Sequence, residues 1–179
     1  MSKVLVILAD GFEEIEAVTI IDVLRRAGVD VKSAAVADTR VRGAHEISLM
    51  ADCRLDDVQS ETFDAILLPG GMPGSRNLRD DPRVLVRLRQ QDREGGYLGA
   101  ICAAPIALEA AGVLKDKRAT SYPGYDLPSA RYSEDRVVTD GKTLTSRGPG
   151  TAIEFALEWV KILAGPDKAE QLRKDMIVA

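Results

Sequence analysis

Histidine occurs once in this chain, at position 45, and cysteine twice, at positions 53 and 102. Two separated cysteines make no disulfide framework. One histidine and two separated cysteines are not an adequate ligand set for zinc. The histidine lies upstream of Cys102, in an irregular stretch, so a Cys-His-Asp triad is poorly supported. His45 instead reads as an exposed structural residue. No apolar run approaches the ~20 residues of a membrane helix. No G-x-x-x-x-G-K-[ST] motif occurs, so a cradle for nucleotide phosphates is not expected. Basic residues are the minority, 24 Lys and Arg against 28 Asp and Glu, for a net charge of −4. Without a basic patch to follow a phosphate backbone, nucleic acid is not an expected partner. Internal repeats, low-complexity tracts and interdomain linkers are missing too. Met1-Ser2-Lys3 followed by Val4 to Ala9 is too short and too soon acidic for a signal peptide, and the expected compartment is the reducing cytoplasm.

What is present suits one globular domain over residues 1–179, with 45% hydrophobic and 29% charged residues. Val4 to Ala9 is an unbroken apolar run, the pattern of a parallel strand covered on both faces. A helical segment follows Asp10-Gly11 and runs to Ala27, with Ala17, Ile20, Ile21, Leu24 and Ala27 on its buried face and Gly28 as its stop. Val29 to Ala37, Asp64 to Leu68 and Leu98 to Ile101 read as further strands. Pro69 to Gly74 reads as a loop, and Val84 to Arg93 as a helix. Tyr122 to Ser133 reads as a turn-rich loop, and Asp140-Gly141 as the turn of a hairpin. Thr151 with Glu154 three residues on is a capping box before a long apolar helix. Alternating strands and helices of this kind imply an α/β, doubly wound, mostly parallel sheet sandwiched by helices.

Ligands bind beyond the carboxyl ends of the strands in such sheets. Four unusual stretches sit at these ends: Asp10 to Glu16, Pro69-Gly70-Gly71, Cys102 to Pro105, and Arg147 to Thr151. Cys102 stands on a strand-to-helix corner between small residues, the logic of a nucleophile elbow. The N–H groups of the following helix would favour its thiolate. The alternative, a small buried hydrophobe, is open on the residues alone. Gly70 and Gly71 can expose backbone N–H groups to an oxyanion, as can the N–H of Ala103, or Gly70-Gly71 is a plain turn. Glu13, Glu14 and Glu16 are ordinary first-turn acids whose spacing does not say which faces inward.

Together, Asp10-Gly11-Phe12-Glu13-Glu14-Ile15-Glu16-Ala17, Leu68-Pro69-Gly70-Gly71, Ala100-Ile101-Cys102-Ala103-Ala104-Pro105 and Thr145 to Thr151 resemble the ThiJ/PfpI superfamily, in the branch of the parkinsonism-associated DJ-1 protein. The resemblance runs the whole chain, with the motifs in the same order. It implies a flavodoxin-like sandwich, a homodimer and no cofactor. It also implies that Cys102 is the nucleophile and oxidation-prone thiol, and that Glu16 is its hydrogen-bonded carboxyl partner. Gly70, Gly71 and Ala103 would be backbone donors around the pocket. Many members of the superfamily have a histidine near the cysteine where this chain has Tyr122, which leaves Glu16 as the acid/base. The proteolytic branch has histidine directly after the cysteine, where this chain has Ala103, and that argues against a peptidase. The implied function is a glyoxalase and protein deglycase acting on methylglyoxal or glyoxal and their adducts. An oxidative-stress sensor or redox-regulated chaperone, with Cys102 oxidised to sulfinate, needs the same two residues. A third reading, a dimeric scaffold, predicts a Cys102 that reacts no faster than a free thiol.

Overall fold

Strand β1 (Lys3–Leu8) sends alternate side chains to opposite sides, as a two-residue period requires. Val4, Val6 and Leu8 enter one hydrophobic core, and Leu5 and Ile7 enter another. A strand buried on both faces needs helices on both, and the rest of the chain supplies them. The molecule is described by a computed structural model over residues 1–178. The remaining strands are β2 (Asp30–Ala35), β3 (Arg40–Arg42), β4 (Ser48–Met50), β5 (Cys53–Arg54), β6 (Ala65–Leu68), β7 (Tyr97–Ile101), β8 (Arg118–Ala119), β9 (Arg131–Tyr132), β10 (Val137–Asp140) and β11 (Thr143–Ser146). The helices are α1 (Glu14–Arg26), α2 (Gly74–Asp80), α3 (Pro82–Arg93), α4 (Pro105–Ala111), α5 (Ala152–Ala164) and α6 (Pro166–Asp175).

Seven strands form the main sheet in the order β10-β11-β7-β6-β1-β2-β5. All neighbours in it are parallel except the β10–β11 hairpin, which turns at Asp140-Gly141. Helices α1 and α5 cover one face, where Ile20, Leu24, Phe155 and Trp159 are all buried. Helices α2, α3 and α4 cover the other through Leu78, Val84, Leu88 and Leu108. Each such aliphatic or aromatic side chain contributes about 1.5–3 kcal/mol on full burial. This is the doubly wound α/β sheet expected from the alternation of elements, and the flavodoxin-like sandwich that the family resemblance implies.

Three local expectations differ. The loop expected over Pro69 to Gly74 ends in α2, a helix over Gly74–Asp80 not expected from the sequence; Leu78 is buried against the α3–α4 layer, which overrides weak local propensity. β5 and β9 escape notice because two residues show no periodicity. The capping box at Thr151 does not form. Thr151 Oγ1 instead pairs with Ser146 Oγ at 2.6 Å and donates to Gly148 O at 2.9 Å, while Glu154 pairs with Arg136 at 2.7 Å.

Candidate active site

The chain leaves β1 for β2 on one side and later returns to β6 on the other. That reversal makes the carboxyl ends of β1 and β6 the switch point of the sheet, where a crevice opens. The loops after these strands are tied together there: Glu13 N–H donates to Gly70 O at 2.8 Å. β7 lies next to β6 and delivers Cys102 to the same edge.

Cys102 has φ of +63°, a left-handed conformation that costs a non-glycine residue of order 1–3 kcal/mol. Both of its backbone groups are held: its N–H donates to Ser146 O at 2.9 Å and its carbonyl accepts from Tyr122 N–H at 2.8 Å. The strained corner aims the thiol at the crevice floor, where the residue is 8% exposed. The backbone N–H groups of Gly71 and Ala103 both bear on the sulfur. A stabilised thiolate does not follow from this. Burial, and then the negative charge of Glu16, push the Cys102 thiol up to about 12 against the effect of those two donors. The sequence-based expectation that a helix end would favour thiolate is therefore corrected. Ala104 N–H turns back to Ile101 O, Pro105 has none, and Ile106 N–H goes to Ala103 O, so the start of α4 offers the sulfur only one donor.

Glu16 is completely buried in the first turn of α1. Its Oε2 accepts from Gly70 N–H at 2.7 Å, and its Oε1 has no hydrogen-bond partner. Burial pushes its carboxyl up to about 8; Gly70 N–H opposes the rise, Glu13 adds to it, and the adjacent Cys102 thiol opposes it. At neutral pH the carboxyl is therefore mostly protonated, able to donate a proton and poised to accept one. Gly70 makes the approach possible: a Cβ there would lie 2.6 Å from Cys102 Cβ and 2.7 Å from Glu16 Oε2. Its N–H is committed to Glu16, so of the three expected donors only those of Gly71 and Ala103 face the sulfur.

The structure thus brings Cys102, Glu16, Gly70, Gly71 and Ala103 into one cluster. The fourth strand-end stretch contributes more remotely, with Gly148 packed close to the Tyr122 ring. Tyr122 is 46% exposed, over the Cys102 backbone. A cleft of about 360 Å³ opens beside the site, lined by Met72, Arg76, Ile106 and Tyr125 among others. Ser146 and Tyr122, which fix the Cys102 backbone, carry no sequence signal for that task, because both act through main-chain atoms. Glu13 and Glu14 also turn inward, 6% and 5% exposed, while the ring of His45 faces solvent. Glu13 caps α1 by accepting from Glu16 N–H at 2.8 Å. Glu14 binds His45 and the turn around it. Among the described residues no helix is long and apolar enough to cross a membrane.

The profile of the DJ-1/PfpI family matches residues 2–162. Protein dj-1beta of Drosophila melanogaster is 43% identical over 185 residues, covering 100% of this chain and 99% of its own length. Its crystal structure superposes with a TM-score of 0.96 at 42% identity, covering 100% of both chains. Glutathione-independent glyoxalase DJR-1.2 of Caenorhabditis elegans is 37% identical over 181 residues, covering 99% of this chain and 97% of its own. The oxidized form of Toxoplasma gondii DJ-1 superposes with a TM-score of 0.95 at 37% identity, covering 100% of both chains.

Proposed function

Because this chain belongs to the DJ-1/PfpI family, we propose that it is a cofactor-independent glyoxalase that converts methylglyoxal or glyoxal to the hydroxy acid, with Cys102 as nucleophile and Glu16 as acid/base. The observation that carries this reading is the buried Glu16 carboxyl, raised to about 8, next to a cysteine on a strained corner. Burial and mutual repulsion let the pair lose one proton readily but not two. In the singly ionised pair the Glu16 carboxylate takes the thiol proton as the sulfur attacks the aldehyde carbon, and then gives that proton to the new oxyanion, which forms a hemithioacetal. The N–H groups of Gly71 and Ala103, which face the sulfur, remain near the oxygen as charge moves onto it. Glu16, now a carboxylate, takes the C1 proton and returns it to C2. Water then cleaves the resulting thioester, releasing lactate or glycolate and restoring the thiol. The relative named a glutathione-independent glyoxalase supports this chemistry. Protein deglycase activity would use the same first attack on glycated groups.

The test is methylglyoxal turnover by the wild type, Cys102→Ser and Glu16→Gln. Both variants should lose at least ~100-fold in turnover; wild-type turnover by Cys102→Ser overturns the mechanism. The second reading is a redox sensor, favoured by one observation: a protonated Glu16 beside the sulfur can hydrogen-bond a sulfinate. Two oxygens gained at Cys102 in mild peroxide, with negligible turnover, would move the conclusion to the sensor. Oxidation of Cys53 first would remove it. We also propose a cytoplasmic homodimer. Ile15 and Val18 of α1 lie on an apolar face with Ile47 and Met50 of the β3–β4 hairpin region, all at least 46% exposed. Sedimentation equilibrium giving only the monomer mass would contradict the dimer.

A further inference from the structure

We propose that Thr151 is a positioning residue for Cys102: its hydroxyl ties the turn after β11 to the two residues whose main chains hold the cysteine corner. The consequence for rate rests on the glyoxalase reading; the consequence for the corner does not. Cys102 keeps φ of +63°, and a non-glycine residue stays in that region only where its surroundings over-determine it. Two contacts do so. Ser146 O accepts the Cys102 N–H at 2.9 Å, and Tyr122 N–H donates to Cys102 O at 2.8 Å.

Both holding residues border one side chain. Ser146 Oγ pairs with Thr151 Oγ1 at 2.6 Å, and both residues are buried. The Tyr122 ring rests on Gly148, where an added Cβ would lie 3.2 Å from it. Gly148 in turn is closed onto Thr151: its N–H donates to Oγ1 at 3.2 Å, and its carbonyl accepts from Oγ1 at 2.9 Å. The Thr151 hydroxyl thus touches the residue that holds the Cys102 N–H, and the residue that supports the ring of the one holding its carbonyl. The next side chain back in β11 works in the same direction. Thr145 Oγ1 accepts Thr120 N–H at 2.9 Å, which ties the approach to Tyr122 to the same strand end. Ser146 Oγ also lies 2.8 Å from Arg136 O. Two hydroxyl protons therefore serve three acceptors, Arg136 O, Gly148 O and the neighbouring hydroxyl, with no donor to spare. Removing Thr151 Oγ1 takes from the buried Gly148 N–H the acceptor it uses, and that group regains one when the turn opens to water. Helix α5 loses nothing, because Thr151 makes no side-chain cap bond to it. The loss is felt at the cysteine corner. A loosened corner lets the sulfur drift from Glu16 and from the Gly71 and Ala103 N–H groups, and a displacement of about 1 Å can cost up to ~100-fold in rate.

The experiment compares the wild type, Thr151→Val and Thr151→Ser in amide hydrogen exchange followed by NMR and in methylglyoxal turnover. Valine keeps the shape and removes the hydroxyl; serine keeps the hydroxyl. In Thr151→Val the Cys102 and Tyr122 amides should exchange at least ~10-fold faster, beyond any change shared with the amides of β1 and β2. A purely global loss of stability would not single them out. The same variant should lose ~10-fold or more in kcat with KM little changed. Thr151→Ser should restore both. Ser146→Ala loosens the hydroxyl pair from the other side and should speed the same two amides, so it carries the test if the valine variant does not fold. Exchange at Cys102 and Tyr122 rising no more than in β1 and β2, kcat unchanged beside an active wild type, or no recovery with serine would overturn the proposal. Absence of turnover in the wild type would count against the glyoxalase reading and leave the exchange result to decide this one.

Discussion

Glu14 and Glu16 are two residues apart in the first turn of α1, both are buried, and they ionise in opposite directions. Burial raises both. At Glu14 the His45 ring and the backbone N–H groups of Glu14, His45 and Ile47 outweigh it, and the carboxyl is held below its ordinary value. At Glu16 the Gly70 N–H opposes burial alone among the backbone groups, Glu13 repels, and the carboxyl rises to about 8. The helix dipole acts on both, so it does not separate them. Their partners do. One acid faces a turn full of donors and serves as an anchor; the other faces a thiol and keeps its proton. Two carboxyls with divergent environments take divergent roles.

The strongest way to break this contrast is to remove the titrating group. Glu16→Gln should lose at least ~100-fold in methylglyoxal turnover, as above, and should also change the dependence of stability on pH. Glu16 has a folded value raised from 4.5 to about 8, so the folded state holds a proton that the unfolded state releases. Its favourable contribution is complete below about 4.5 and is lost as pH rises through about 8. Denaturant midpoints of the wild type should therefore decline over that interval more steeply than those of Glu16→Gln. Equal slopes would mean that Glu16 is ionised in the folded protein.

Glu14→Ala comes next. It leaves the His45 and Ile47 N–H groups without their acceptor and should cost about 1–3 kcal/mol by chemical denaturation. The Cys102–Glu16 pair should still titrate together, as followed by the pH profile of Cys102 alkylation. A large displacement of that profile would show that the two acids are not separate devices. The smallest effect belongs to Glu13→Gln. Removing the charge that adds to the rise at Glu16 should move the alkylation profile of the pair to lower pH by a fraction of a unit, on the order of 1 kcal/mol or less. A shift to higher pH would reverse the sign of the Glu13 interaction.

Much of the fold is legible because burial on two faces leaves a pattern that does not depend on distant contacts. β1 and β6 are apolar throughout, Gly28 and Gly112 follow their helices with φ of +81° and +78°, and Asp140-Gly141 turns the hairpin. α2 was not legible, since its seven residues include Gly, Ser and Asn and are helical through their packing against α3 and α4. The candidate nucleophile and its carboxyl were legible only as members of strand-end motifs with a family resemblance. The spacing of Glu13, Glu14 and Glu16 alone leaves their directions open. Thr151 shows the converse: a capping box is written in the chain, but Ser146 Oγ and Gly148 O compete for the hydroxyl and take it.

The linear chain, then, determined the alternation of strand and helix, the strand ends at which chemistry collects, and the presence of a cysteine on one of those corners, because hydrophobic period and turn chemistry are local properties. The tertiary structure alone decided which glutamate meets the sulfur, that Gly70 spends its N–H on Glu16, that the thiol is raised rather than lowered, and that His45 closes on two carboxylates. Each of these depends on desolvation and on donors arriving from strands far apart in sequence, and neither exists until the sheet has closed around them.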